Sequence, residues 1–346
     1  MRLALFAAAL LLAGCATTTV MPGPVQAALD KAGLPADSLG FVLQPLDGSR
    51  PALQRRAEDA MSPGSTMKLV TAIVALDKLG INHRGRTELL AAAAPVGGVI
   101  DGPLILRGGA DPDLDWPALW WLLRQLRESG VREIRGGLVV DRTLFNPTRF
   151  DVGLPPFDEA PEFGYNVIPD ALNLNGSLLD FELQATSDGV AARTLPALAG
   201  LNVDASAMTL SARVCKDWDE DWKPAIVQPA GDGFALKLQG AFPAGCHQRA
   251  PLQLVDRQWL VTHAVRQLWA ELGGTMGPGD VEAAAPAGAV VLATHRGLPR
   301  RFVRLRRLVR GPRAGRPRPG ARQRLGPVAQ RAHQPGADGG VAARRA

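Results

Sequence analysis

Cysteine is scarce in this chain, with three among 346 residues. His247 follows Cys246, but no second spaced His/Cys pair completes a zinc set, so neither metal nor cofactor is expected. Aromatic residues are also few, at 5%. Outside the C-terminal tail they do not interleave with basic residues, which argues against a nucleic-acid groove, and no nucleic-acid partner is expected. The net charge of +6 does not change that reading, because it is unevenly spread. Residues 300–346 hold 14 arginines, no lysine and one acid, a net of +13, which leaves −7 for residues 1–299. The folded part is mildly acidic. Its length suits two or three domains rather than one.

What is present begins with an export signal. Arg2 precedes a short apolar run over 3–12, too short to span a bilayer as a permanent helix. Leu12-Ala13-Gly14-Cys15 then resembles the bacterial lipoprotein signal, in which Cys15 becomes the lipidated first residue of the mature chain. That implies a periplasmic protein, lipid-anchored to a bacterial membrane, with Ala16 fitting the outer-membrane pattern. The alternative is an ordinary cleaved signal that takes Cys15 with it. Cys215 and Cys246 remain, and in an exported protein they suggest a disulfide closing a loop of about 30 residues, worth roughly 3 kcal/mol. Two free buried thiols are the other possibility.

Residues 16–24 read as a tether and 25–32 as a helix stopped by Gly33. The runs 39–46 and 52–57 flank Asp47-Gly48 as a hairpin. Ser62-Pro63-Gly64 breaks the chain, and 65–79 has helical spacing up to Gly80. Its stripe of Leu69, Val70, Ile73, Val74 and Leu76 predicts a central helix buried on most faces. Strands are predicted at 103–107, 137–140, 178–183, 207–214, 234–238 and 289–293, helices at 119–129 and 259–272, and a long loop at 150–165.

Ser65 and Lys68 stand three apart at the start of the helix, so hydroxyl and amine share a face. A serine there also meets the free N–H groups and positive dipole end of the helix, which can stabilise an oxyanion. A lysine kept neutral by burial and positive neighbours can take the serine proton. The plain alternative is a capping serine beside a solvated lysine.

Met61-Ser62-Pro63-Gly64-Ser65-Thr66-Met67-Lys68-Leu69-Val70-Thr71-Ala72, with Ala75-Leu76-Asp77-Lys78-Leu79-Gly80, resembles the active-site helix of the penicillin-binding protein 4-type D-Ala-D-Ala carboxypeptidase/endopeptidases of serine peptidase family S13. Separated stretches fit in the same order: Leu34-Pro35-Ala36-Asp37-Ser38-Leu39-Gly40, Arg86-Thr87-Glu88-Leu89, Leu106-Arg107-Gly108-Gly109-Ala110-Asp111-Pro112, Leu138-Val139-Val140-Asp141, Tyr165-Asn166 and Leu172-Asn173-Leu174-Asn175. The resemblance covers about 25–298. It implies a mixed α/β (α+β) fold, a serine β-lactamase/transpeptidase-like domain over 25–90 and 256–298 interrupted by a strand-rich insertion over 91–255, with its C-terminal part missing. It implies that Ser65 is the acylated nucleophile and Lys68 its base. The implied partners are peptidoglycan stem peptides, with β-lactams as acylating inhibitors.

The chain departs from this pattern after 289–293, where neither a Ser-x-Asn nor a Lys-Thr-Gly element follows. No serine follows Ser211, and Ser187-Asp188-Gly189 reads as a turn. The Arg/Gly/Pro/Ala tail over 299–346, read as disordered, is what a GC-rich gene yields out of frame. The expectation is therefore a frameshifted, truncated product from about residue 298 with negligible activity. Two other classes are a non-catalytic peptidoglycan-binding envelope lipoprotein and a polyanion-binding envelope protein acting through the arginine tail. A β-lactamase would want its Ser-x-Asn near 116–130, where none occurs.

Overall fold

Turn residues and hydrophobic period divide the chain much as the sequence suggests. A computed structural model describes residues 21–153, 155 and 160–297. The lipidation signal at Cys15 and the arginine-rich tail lie outside the described residues. Among the described residues the chain divides after Ala60 into two units.

In the first unit, helix α1 (Gly23–Lys31) carries a proline in its opening turn, where a missing N–H is harmless. Gly33, at φ +64°, turns the chain out of it. Strand β1 (Phe41–Leu43) pairs antiparallel with β2 (Leu53–Arg55), giving the expected hairpin with shorter arms. Asp47 accepts the Ser49 N–H at 3.0 Å and so fixes the turn.

The second unit begins with a 3₁₀ turn over Gly64–Thr66, followed by α2 (Met67–Leu79). Next come β3 (Arg86–Ala91), β4 (Val99–Ile100), β5 (Leu104–Gly109), α3 (Trp116–Glu128), β6 (Glu133–Ile134) and β7 (Leu138–Asp141). Strands β8 (Leu179–Ala185), β9 (Val190–Leu195), β10 (Leu201–Ser211), β11 (Trp222–Ala230), β12 (Gly233–Pro243) and β13 (His247–Leu252) follow. The unit ends with α4 (Arg257–Glu271), β14 (Thr275–Met276), β15 (Val281–Glu282) and β16 (Val290–Arg296).

The organising element is a five-stranded mixed sheet in the order β15-β7-β5-β3-β16. Alternation along β3, β5 and β7 sends Leu89, Ala91, Leu104, Leu106, Leu138 and Val140 to one face. There they meet Leu119, Leu122, Leu123 and Leu126 of α3, and Val261, Ala264, Val265 and Trp269 of α4. Both helices are held at their N-termini by aspartates. Asp115 accepts the Ala118 N–H at 2.8 Å, and Asp256 accepts those of Gln258 and Trp259. Strands β3 and β16 and helix α4 share this core with β5, α3 and β7.

A second core lies between an antiparallel sheet, β13-β8-β9, and a mixed one, β10-β12-β11. Phe181, Leu183, Met208, Leu236, Leu238 and Phe242 fill it. A disulfide joins Cys215 to Cys246 across 31 residues, with Cα atoms 5.4 Å apart. Within the segment after β7, Arg142 and Asp170 are both inaccessible and ion-paired, and the segment is tied to α4 by Arg257, 3.6 Å from Asp170, and by Gln258, which accepts a hydrogen bond from Arg142.

Helix α2 corrects an expectation. It has no buried residue, and its stripe is open, with Leu69 66% and Ile73 59% exposed. Periodicity reports that a helix can bury a face. It does not report that a partner surface lies among the described residues.

Candidate functional site

Ser65 owes its position to a tight turn. Gly64 takes φ +48°, a left-handed conformation that costs glycine little. The Thr66 N–H then reaches the Pro63 carbonyl at 3.0 Å and closes the 3₁₀ turn. The turn runs straight into α2, so Ser65 and Lys68 fall on one side of the first helical turn. The Lys68 Nζ donates to Ser65 Oγ at 2.8 Å. The two residues singled out by spacing are thus in direct contact. With its amine neutral, the same geometry passes a proton from Oγ to Nζ without rearrangement.

The burial expected around Lys68 is not found, since both side chains are exposed. No Ser-x-Asn or Lys-Thr-Gly segment occurs to face the pair. Ser187-Asp188-Gly189 is the turn between β8 and β9, closed by the Thr186 N–H on the Gly189 carbonyl at 2.8 Å. Cys215 and Cys246 form the disulfide described above. Among the described residues no three His, Cys, Asp or Glu side chains gather into a metal-binding group. No described helix is long and apolar enough to cross a membrane.

Sequence reasoning missed the arginines of the sheet. Arg86 on β3 lies directly opposite Arg296 on β16, and Arg107 on β5 opposite Glu88. The alternation in Arg86-Thr87-Glu88-Leu89 was a signal for the strand, but only the pairing register brings these charges together.

The model of the D-Ala-D-Ala carboxypeptidase 3 (S13) family matches residues 23–303. A D-alanyl-D-alanine carboxypeptidase of Actinomadura sp. (strain R39) is 29% identical over 288 residues, 81% of this chain and 53% of the relative. The D-alanyl-D-alanine carboxypeptidase DacB of Haemophilus influenzae is 30% identical over 151 residues, 44% of this chain and 31% of the relative. The crystal structure of penicillin binding protein 4 (dacB) from Haemophilus influenzae matches with a TM-score of 0.62 at 22% identity, covering 80% of this chain and 60% of that one. The same protein complexed with a novel β-lactam matches at a TM-score of 0.57 and 21% identity, over 79% and 57%. The chain spans about a third to a half of the curated relatives it matches. The structural likeness bears out the mixed α/β fold.

Proposed function

Because this chain belongs to the D-Ala-D-Ala carboxypeptidase 3 (S13) family, we propose that Ser65 and Lys68 are the nucleophile and base of a serine-type D-Ala-D-Ala carboxypeptidase/endopeptidase site acting on peptidoglycan stem peptides. The observation that carries this reading is the 2.8 Å contact between Lys68 Nζ and Ser65 Oγ. Ser65 Oγ attacks the carbonyl of the scissile D-Ala-D-Ala bond while its proton passes to Lys68. The C–N bond breaks, the proton goes to the departing D-Ala amine, and water hydrolyses the acyl-enzyme. β-Lactams acylate the same oxygen. Without Ser-x-Asn and Lys-Thr-Gly elements, the 346 residues by themselves turn over slowly. Losing a proton relay and part of an oxyanion hole lowers the rate on the order of 10³-fold or more.

Incubation with a fluorescent penicillin tests the nucleophile. Label is expected on the wild-type chain and none on Ser65→Ala; an unlabelled wild type removes Ser65 from that role. An unlabelled chain would favour the non-catalytic wall-binding reading, to which the exposure of Ser65 and Lys68 lends support. We also place the chain in the periplasm, lipid-anchored through Cys15. Palmitate incorporation that survives Cys15→Ala would refute the anchor.

A further inference from the structure

The face of the five-stranded sheet turned away from α3 and α4 carries unbalanced positive charge. Along β3, Thr87, Leu89 and Ala91 are buried on the core face; on the other face Leu90 is buried too, Glu88 is half-buried and Arg86 is exposed. Arg86 stands directly opposite Arg296 on β16, and like charges so placed destabilise a sheet. Neither nearby acid is ion-paired with Arg86. Glu88 is taken up by Arg107, whose Nε and Nη2 reach Oε2 at 3.1 and 2.7 Å. Asp141 accepts the Thr143 N–H and hydroxyl and the Ala285 N–H. Arg84 donates to the His83 carbonyl at 2.7 Å.

Arg84, Arg86 and Arg107 line a groove of about 620 Å³ together with Glu88 and Asp141, so three guanidinium groups outnumber two carboxylates, and its apolar wall includes Leu79, Leu144 and Phe145. Leu79 and Leu144 are each 56% exposed. The groove meets α2 at its C-terminal end, about 20 Å along the helix from Ser65 at about 1.5 Å per residue.

We propose that this groove is a second, non-catalytic binding site for a carboxylate-bearing peptide. On the reading that the protein works on peptidoglycan, its occupant is a free stem peptide or the stem of a neighbouring strand. Guanidinium groups match a carboxylate with two parallel hydrogen bonds, and an anion there relieves the Arg86–Arg296 opposition. The leucines and Phe145 take the methyl groups of alanine residues.

Titration calorimetry of the full chain with a stem tripeptide, which lacks the D-Ala-D-Ala bond, tests the site. Arg86→Glu and Arg86→Gln are each expected to weaken binding about tenfold or more, and a fully amidated tripeptide to bind comparably weakly to the wild type. Both variants should fold, since each removes a like-charge opposition; unchanged circular dichroism checks this. Penicillin labelling at Ser65 is expected to stay as in the wild type. Equal affinity in both variants, or equal binding of the amidated peptide, overturns the proposal. So does Arg86-dependent binding of inorganic phosphate without binding of the tripeptide. Labelled Ser65 with no tripeptide binding sinks this site and leaves the nucleophile standing. Charge-dependent tripeptide binding with unlabelled Ser65 does the reverse.

Discussion

Replacing Asp170 by alanine should cost this fold several kcal/mol, because of what its carboxylate neutralises. The Arg142 Nε lies 3.2 Å from both Asp170 oxygens, and the two side chains are 0% and 1% exposed. Arg257, at 2% exposure, approaches the same carboxylate at 3.6 Å. Asp170 also accepts the Leu172 N–H at 2.8 Å. Its removal leaves two buried guanidinium groups short of a counter-charge and one N–H without its acceptor. Breaking a buried pair from one side costs about 3–5 kcal/mol. Glu282, 3.3 Å from Arg142, and Asp151, 3.7 Å from Arg257, still supply negative charge. The loss should therefore fall near the low end, about 3 kcal/mol. At an unfolding entropy of about 2.1 cal/mol/K per residue, that lowers Tm of a protein of this size by about 4–6 °C. Urea unfolding at neutral pH should show a lower midpoint with an unchanged slope. Asp101→Ala, which breaks an exposed pair with Arg135, serves as the control and should leave the midpoint nearly where it was. A loss below about 1 kcal/mol for Asp170→Ala would refute the reasoning, since a buried charge deprived of its partner cannot be that cheap.

Reducing the Cys215–Cys246 disulfide should destabilise the second core by about 3–4 kcal/mol in the chain-entropy model for a loop of this length; matched urea curves with and without dithiothreitol measure it, and coincident curves would contradict it. Acid should weaken the fold through Asp151, whose carboxyl is held below its ordinary value by the two hydrogen bonds from Arg149, against the opposing effect of burial. A carboxyl depressed in the folded state contributes stability that is complete above its unfolded pKa, about 4, and lost as pH falls through the lower folded value. Asp151→Asn should therefore lower stability at neutral pH and flatten the decline below about pH 4; parallel acid limbs in the two proteins would show that Asp151 is not responsible.

How much of the fold was legible followed from how local its determinants are. Helix α3 was expected from its leucines, and Leu119, Leu122, Leu123 and Leu126 are all fully buried. Its true start, three residues earlier, was written in Asp115-Trp116-Pro117, an N-cap aspartate with proline in the first turn. Strand β11 was not anticipated, for a physical reason. It contains Pro224 and Pro229, its side chains are mostly exposed, and proline argues against a central strand. It lies at the edge of its sheet, where that objection lapses. Strand β10 was expected only in its second half, because Asn202, Asp204 and Ser206 mask its beginning. They occupy the exposed positions of a strand that turns Ala205 and Met208 inward.

The site divides along the same line. Contact between Ser65 and Lys68 needs one helical turn and nothing more, so spacing sufficed to find it. The exposure of that pair depends on surfaces contributed from elsewhere, and apolar periodicity along α2 carries no information about them. The same holds for charges meeting across the sheet. His295 on β16 holds Asp111, after β5, at 2.7 Å across 184 residues of sequence, and Arg296 reaches Arg86 by the same strand pairing. Inspection of 111 or 86 alone could not have suggested either partner. A slip of one residue in the register of β16 would turn Arg296 to the opposite face and leave Arg86 unopposed. The Arg86–Arg296 opposition is therefore a product of register, whereas the serine–lysine pair is a product of helical pitch, and only the second can be read along a single segment.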